Sequence, residues 1–165
     1  MTLTLIVLRH AKSDWGQGVA DHDRPLNARG QRDAPKIGQW LAQQGYVPQD
    51  AAVSSARRTR QTWAAIADML PQGAIEHVID PLYEASVGRI MAVARATQVP
   101  TRAIVGHNPG IGTFMHEIVA DTPDHPRFLD IPTGATLVVR FDAPDWSAID
   151  WRQGQALAFV TPHDL

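Results

Sequence analysis

Two histidines in this chain each follow directly after a short apolar run, and one of them is preceded by an arginine. The first run, Leu3 to Leu8, ends in Arg9-His10, and the second, Ala103 to Val105, ends in Gly106-His107. Short uncharged runs of this kind are typical of buried strands in a parallel sheet. Because open α/β sheets bind ligands beyond the carboxyl ends of their strands, the pattern predicts an anion site with a nucleophile or base beside it.

A third predicted strand, Ala51 to Ser54, leads into a helix start that contains Arg57, Arg58 and Arg60. If this strand is parallel to the other two, its arginines join the histidines at one edge of the sheet. One guanidinium group can bind two phosphate oxygens at the same time, and helix N-termini add backbone N–H donors. Neighbouring cations lower a histidine pKa, and a neutral imidazole is a competent nucleophile. The cluster therefore favours phosphoryl transfer through a phosphohistidine intermediate.

The elements that must position this cluster alternate between strand and helix, which predicts a three-layer α/β/α sandwich around a mostly parallel central sheet. A polar loop over residues 11–26 precedes a helix with Asn27 as its N-cap and Gly45 at its end. Within that helix, Pro35 predicts a late start or a kink. The following helix is predicted to run to Pro71.

The second half of the chain continues this alternation. A strand is predicted at residues 75–79, a helix after Ser86 and another helix after Pro109. Residues 136–141 and 156–160 alternate in polarity like paired strands. The length of 165 residues predicts a single domain over residues 1–165.

Composition excludes several classes of protein. The chain is 44% hydrophobic and 19% charged, as in ordinary globular proteins. Its net charge of −2 argues against attraction to nucleic acid or to an anionic membrane. The absence of cysteine excludes disulfides, thiolate zinc sites and a cysteine nucleophile. Since no basic leader precedes the first strand, which is too short to cross a bilayer, we expect a cytoplasmic protein.

Four segments together resemble motifs of the histidine phosphatase superfamily, whose fold is phosphoglycerate mutase-like. Arg9-His10-Ala11 resembles its Arg-His-Gly motif, and Ser54 to Thr62 resembles its Ser-x-x-x-Arg-x-x-Gln-Thr motif. Gly106 to Gly110 resembles the segment that carries the second histidine of the superfamily. Asp23 to Leu26 and the short length are most similar to the SixA-type phosphohistidine phosphatases. Single motifs of this size are weak evidence, but four in the right order and spacing are strong.

The resemblance implies a phosphatase that works through a phosphohistidine enzyme intermediate, without a metal or an organic cofactor. His10 would be the nucleophile, Arg9 and Arg58 would hold the phosphoryl oxygens, and His107 would donate a further hydrogen bond to them. The substrate implied is phosphohistidine on a protein. The additional substrate-binding residues expected are Arg24, Ser13 and Asn108.

Glu84, which follows a predicted strand, leaves the substrate open. An alkoxide leaving group needs an acid to protonate it, whereas an imidazole, with a pKa of about 6.5, can take its proton from solvent. Glu84 is therefore either a general acid or a residue that only lines the pocket. Two alternatives follow: a phosphatase of small phosphomonoesters with Glu84 as its acid, and a phosphate-binding module without turnover. The expected partner is accordingly a phosphorylated protein or a small phosphomonoester.

Three local features give further expectations. Ala11 stands where the superfamily has glycine, and would cost about 1 kcal/mol if that position required a positive φ. Trp15 is a candidate wall of the pocket. The triplet Asp21 to Asp23 has residue types that bind metals, but it is interpreted as a flexible, solvated part of the loop without a metal. Arg57 and Arg60 are expected at the surface or at the pocket rim.

Overall fold

A six-stranded sheet forms the centre of the molecule in this computed structural model, which describes residues 2–16 and 18–165. Met1 and Gln17, which fall in the predicted domain and loop, lie outside the described residues. The spatial order is β3-β2-β4-β1-β5-β6. The first four strands pair in parallel, and the last two join by antiparallel pairing. The strands are β1 (Thr2–Arg9), β2 (Asp50–Ser54), β3 (Ile75–Ile79), β4 (Thr101–Gly106), β5 (Thr136–Asp142) and β6 (Gln155–Val160).

Helices cover both faces of this sheet. Because successive strand residues point to opposite faces, Leu5 of β1 packs with Met115 on one side, whereas Ile6 packs with Ile37 on the other. The arrangement confirms the predicted α/β/α sandwich with a mostly parallel sheet. The helices are α1 (Ala28–Gln44) and α2 (Arg57–Ala67) on the Ile6 side, and α3 (Val87–Arg95) and α4 (Gly110–Ile118) on the Leu5 side.

Two helix boundaries differ from the sequence prediction. The late start at Pro35 is wrong, since α1 begins at Ala28, where the Asn27 side chain accepts a hydrogen bond from the Gly30 amide at 2.9 Å. The helix continues past Pro35, which removes only one backbone hydrogen bond from a long helix. The extension of α2 to Pro71 is also wrong, because the chain tightens after Ala67 into turns that bond three residues back.

The three strands that carry the predicted chemistry are neighbours. In the parallel pairing of β1 with β4, Arg9 lies opposite Gly106, and Val53 of β2 lies opposite Val105. The residues that follow these strands are therefore delivered to one edge of the sheet. Helices α2 and α4 begin at this edge, because α2 starts soon after the end of β2 and α4 starts soon after the end of β4.

A buried ion pair joins β2 and β4 near their other ends. Arg102 donates from Nε to Asp50 Oδ1 at 2.9 Å and from Nη2 to Asp50 Oδ2 at 3.0 Å. Arg102 also donates to the carbonyl of Val93 in α3 at 2.7 Å. Both side chains are buried, so the pair helps to fix the alignment of the two strands that deliver Ser54 and the second histidine.

The helices in the described part of the chain are too short or too polar to cross a membrane.

Candidate active site

A pocket of about 430 Å³ opens at the edge of the sheet where β1, β2 and β4 end. It brings together every residue that the sequence predicted for the site, although these residues come from five separate parts of the chain. The predicted residues that line it are Arg9, His10, Ser13, Arg24, Arg58, Glu84, His107 and Asn108.

His10 is held in one orientation and kept neutral. Its Nδ1 lies 2.7 Å from the carbonyl oxygen of Ala11, so Nδ1 carries the proton and donates, and Nε2 carries the lone pair. Burial lowers the pKa of His10 from 6.5 to about 3, and the charges of Arg58 and Arg9 act in the same direction. The imidazole is thus neutral over the whole neutral pH range, with a lone pair on Nε2.

His107 faces His10 across the pocket, with the two ring centroids 5.3 Å apart. Its Nε2 lies 2.8 Å from Ser54 Oγ, at the end of β2. Burial, followed by the charge of Arg58, lowers the pKa of His107 to about 4. Its Nδ1 is buried and has no hydrogen-bond partner among the described residues.

The arginines are anchored through their outer nitrogens. Arg9 Nη1 donates to the carbonyl of Ile131 at 2.9 Å, and Arg58 Nη1 donates to the carbonyl of Asp21 at 2.7 Å. The Nε atoms of both arginines are buried and, like His107 Nδ1, have no partner within residues 2–16 and 18–165. Buried polar nitrogens are nearly always hydrogen-bonded in native proteins. The three exceptions all belong to side chains that line one pocket.

Arg24 lies at the outer side of the same pocket. Its Nη1 donates to Ser13 Oγ at 2.7 Å and to the carbonyl of Asp14 at 3.1 Å. The indole of Trp15 stacks on the guanidinium, 3.5 Å from its central carbon, and lines the pocket as expected. The hydroxyl oxygen of Ser13 therefore accepts a hydrogen bond from Arg24 and helps to hold that side chain in place.

The polar residues at the end of the Ser54 to Thr62 segment fix both ends of the loop over residues 11–26. Thr62 Oγ1 accepts from the amide of Ala11 at 3.0 Å, and Gln61 Oε1 accepts from the amide of Leu26 at 2.8 Å. This contact explains why a Gln-Thr pair follows Arg58. Ala11 does not adopt a positive φ, so its replacement of glycine carries no backbone strain.

Glu84 and Asn108 take different places in the pocket wall. Glu84 is exposed and adopts a left-handed backbone conformation with a φ of 57°. Asn108 accepts from the amide of Gly112 at 3.1 Å and donates to the carbonyl of Ile131 at 3.0 Å. Its amide therefore joins α4 to the segment that also anchors Arg9.

Sequence reasoning missed two residues of the site, Asp21 and Tyr83. Residues 21–23 are exposed or half-buried, as the interpretation of a solvated loop expects, but they form a 3₁₀ turn whose Asp21 carboxylate binds Arg24, Arg58 and Tyr83. The available signal was the spacing of Asp21 three residues before a pocket arginine. No group of three or more histidine, aspartate or glutamate side chains in the described residues is arranged to hold a metal. Arg57, as expected, is exposed and lies outside the pocket.

Comparison with known families agrees with this geometry. The sequence model of the histidine phosphatase superfamily, branch 1, matches residues 5–96. The chain belongs to this superfamily. The match covers both the nucleophile segment and the arginine segment, and ends before His107.

Two curated relatives have no assigned activity. A chloroplastic protein of Arabidopsis thaliana is 34% identical over 119 residues, and a protein of Mycobacterium tuberculosis is 38% identical over 104 residues. The matches cover 64% and 62% of this chain. They span only 54% of the Arabidopsis protein and 63% of the mycobacterial protein.

Solved structures of superfamily members superpose over nearly the whole chain. A protein from Nakamurella multipartitia, provisionally named phosphohistidine phosphatase SixA, is 30% identical, with a TM-score of 0.82. That match covers 98% of this chain and 97% of the other. The protein histidine phosphatase SixA in complex with tungstate is 22% identical, with a TM-score of 0.79 over 98% of this chain and 99% of the other, and shares the fold.

Proposed function

We propose that this chain is a phosphatase that removes the phosphoryl group from phosphohistidine on a protein, using His10 as the nucleophile. The observation that carries the proposal is the neutral, oriented imidazole of His10 in a pocket that Arg9, Arg24, Arg58 and His107 line with N–H donors. A phosphoryl group has the acceptor oxygens that these donors require. The superfamily membership supports the same chemistry.

In the first step, the lone pair on His10 Nε2 attacks phosphorus and forms a nitrogen–phosphorus bond. The bond between phosphorus and the substrate imidazole breaks, and its electron pair stays on the leaving nitrogen, which takes a proton from solvent. Little covalent chemistry is asked of the protein, so the rate depends on positioning and on charge stabilisation.

The second step regenerates the enzyme. Water attacks the phosphorus of phosphorylated His10, an oxygen–phosphorus bond forms, and the electron pair of the breaking bond returns to Nε2. The released proton goes to solvent or to the phosphate product. The Ala11 carbonyl keeps the Nδ1 proton in place through both steps, so Nε2 is again the free nucleophile.

His107 is suited to donate to the phosphoryl oxygens while neutral. Ser54 Oγ accepts from the amide of Ala56 at 3.4 Å, which leaves the serine proton available for His107 Nε2. The histidine proton then sits on Nδ1, the buried atom without a partner. A neutral donor stabilises developing negative charge without raising the cost of burying a further cation.

The same proposal includes two expectations from the sequence. The guanidinium groups of Arg9, Arg24 and Arg58 supply the positive charge that Mg²⁺ gives in other phosphoryl-transfer enzymes, so we expect turnover to be unchanged after chelation by EDTA. Loss of activity in EDTA with recovery in Mg²⁺ would contradict this.

A cytoplasmic location is the second expectation. Cell fractionation, with an antibody against the chain to detect it in each fraction, tests this location.

Glu84 favours a second candidate function, hydrolysis of small phosphomonoesters. Its carboxylate belongs to a residue that lines the pocket, with a left-handed backbone conformation. An ester leaving group would need the proton that a carboxylic acid at this place can give.

The test compares wild type with Glu84→Gln on two substrates in metal-free buffer: a phosphohistidine-bearing carrier protein and an alkyl phosphomonoester. We expect a strong preference for the phosphoprotein, with kcat/KM unaffected by the substitution. Efficient ester hydrolysis that collapses in Glu84→Gln would instead assign the second function. Failure of the wild type on both substrates would leave a phosphate-binding module and overturn both.

A further inference from the structure

The carboxylate of Asp21 connects the charged groups of the pocket to one another. Its Oδ1 accepts from Arg24 Nε at 3.0 Å, and its Oδ2 accepts from Arg58 Nη2 at 3.1 Å and from the hydroxyl of Tyr83 at 2.5 Å. Its backbone carbonyl accepts from Arg58 Nη1. One residue in the loop between β1 and α1 thus binds groups from α2 and from the segment after β3.

These contacts determine which donors remain for a substrate. Arg58 gives one N–H of each terminal nitrogen to Asp21, which leaves Nε–H and the second N–H of each terminal nitrogen. Arg24 spends Nε on Asp21 and Nη1 on Ser13, which leaves Nη2 without a partner among the described residues. A guanidinium fixed at two of its nitrogens has no freedom to rotate, so the direction of its remaining donor is set before a substrate arrives.

Asp21 is unsuited to a direct part in the chemistry. Hydrogen bonds from Tyr83 and Arg24, with the charge of Arg58, hold the pKa of its carboxyl well below its usual range, so it has no proton to donate. Its negative charge also repels a phosphoryl group in the same pocket. A site that binds anions keeps such a group only if the gain in arginine order exceeds that repulsion.

We propose that Asp21 is a positioning residue that fixes Arg58 and Arg24 in the orientation required for phosphoryl transfer. This inference rests on the proposed function. It goes beyond that function because it assigns a role to a residue whose carboxylate binds Arg24, Arg58 and Tyr83. It also explains why a carboxylate is retained beside an anion site.

Asp21 affects phosphate affinity and kcat in two ways: it orients the arginines, and its negative charge repels an anion. Replacing Asp21 by asparagine removes a negative charge, which strengthens anion binding, but loosens both arginines, which weakens it. These effects offset each other for ground-state binding of inorganic phosphate. The orientation of the donors matters more in the transition state than in ground-state binding, so kcat should fall by about tenfold or more while phosphate affinity changes less than about threefold.

The experiment measures kcat and KM on the phosphohistidine protein, and the dissociation constant of inorganic phosphate by calorimetry, for wild type, Asp21→Asn and Asp23→Asn. Asp23 is the matched control, because it lies in the same 3₁₀ turn and outside the pocket, and its carboxylate pairs with His22 at 3.8 Å and with no other side chain of the described residues. For Asp23→Asn we expect kcat and the dissociation constant of inorganic phosphate to stay within about twofold of their wild-type values. Equal behaviour of the two variants would overturn the proposal, as would a loss in Asp21→Asn confined to KM.

A second variant, Tyr83→Phe, removes only the hydroxyl that binds Asp21. If Tyr83 acts through Asp21, its effect on kcat disappears in the Asp21→Asn background; an undiminished effect there would contradict the proposal. Should Asp21→Asn fail to fold, an unchanged kcat in Tyr83→Phe alone would overturn it.

A readout without turnover separates this proposal from the proposed function. The NMR signal of the Arg58 Nε–H group reports directly on the order of that side chain. We expect it to be protected in wild type and in Asp23→Asn, and broadened by exchange in Asp21→Asn. An enzyme without phosphatase activity that shows this pattern refutes the function alone, whereas active enzyme with an unchanged Arg58 signal in Asp21→Asn refutes the positioning role.

Discussion

His10 and His107 lie with their ring centroids 5.3 Å apart and their planes tilted by 55°, although they follow the first and the fourth strands. The parallel register places Arg9 opposite Gly106, so the next residue on each strand enters the same pocket. His10 is buried and His107 is half-buried, and the charge of Arg58 acts on both rings. Burial and this charge keep both rings neutral, which suits one to attack phosphorus and the other to donate a hydrogen bond.

Both histidines should titrate far below the ordinary histidine range. Since burial lowers the pKa of His10 to about 3 and that of His107 to about 4, neither ring should gain a proton between pH 8 and pH 5. NMR titration of the ring Cε1–H signals in the free enzyme measures this without an acid-labile substrate. A midpoint near 6.5 for either ring would contradict it.

The same shifts predict a loss of stability in acid. The unfolded chain takes up protons on these histidines below about pH 6.5, whereas the folded protein does so only near pH 3 to 4. The unfolded state therefore binds more protons in this window, and the free energy of unfolding falls as the pH drops through it. Urea denaturation from pH 7 to pH 4 should show a shallower decline in His10→Gln than in wild type.

Replacement of the nucleophile should abolish turnover and leave the fold intact. In His10→Ala we expect kcat to fall by about a thousandfold or more, because no covalent intermediate can form. His163→Ala is the matched control, since His163 is exposed and does not line the pocket. Acid-labile phosphate trapped on the enzyme should be present in the control and absent in His10→Ala. Full activity of His10→Ala would refute the mechanism.

The arginine pair at the start of α2 allows a neighbouring-residue comparison. Arg58 is buried in the pocket, whereas Arg57 is exposed. Arg58→Ala should lower kcat/KM by about a hundredfold or more, because a preorganised donor to the phosphoryl group is lost. Arg57→Ala should stay near wild type. Similar losses in both variants would assign the effect to the general positive charge of the helix start.

The ion pair at the far side of the sheet should matter for stability and not for chemistry. Asp50→Ala leaves the buried guanidinium of Arg102 without its carboxylate, which costs about 3–5 kcal/mol in such pairs. Asp121→Ala, at an exposed aspartate, should change the free energy of unfolding by less than about 0.5 kcal/mol. Urea denaturation measures both. A change in Asp50→Ala as small as in the control would show that the pair contributes no net stability.

Local signals in the sequence were sufficient for most elements and failed where tertiary contacts decide. Helix α1 lies between the caps Asn27 and Gly45 as predicted, because a cap depends on the nearest few residues. Pro35 and Pro71 misled the prediction of helix ends. In α1 the capped first turn tolerates a later proline, and in α2 the chain leaves the helix before Pro71 in turns that the sequence pattern did not indicate.

The sequence by itself determined the chemical groups of the site and the edge of the sheet where they gather. Apolar runs that end in Arg9-His10 and in Gly106-His107 are local patterns, and the alternation of strands with helices favours parallel pairing of those strands. The tertiary structure decided how the groups are held. Asp21 binds Arg58 and Tyr83 only because a long loop folds back across the pocket. Such contacts depend on the path of the whole chain, which no spacing between neighbouring residues encodes.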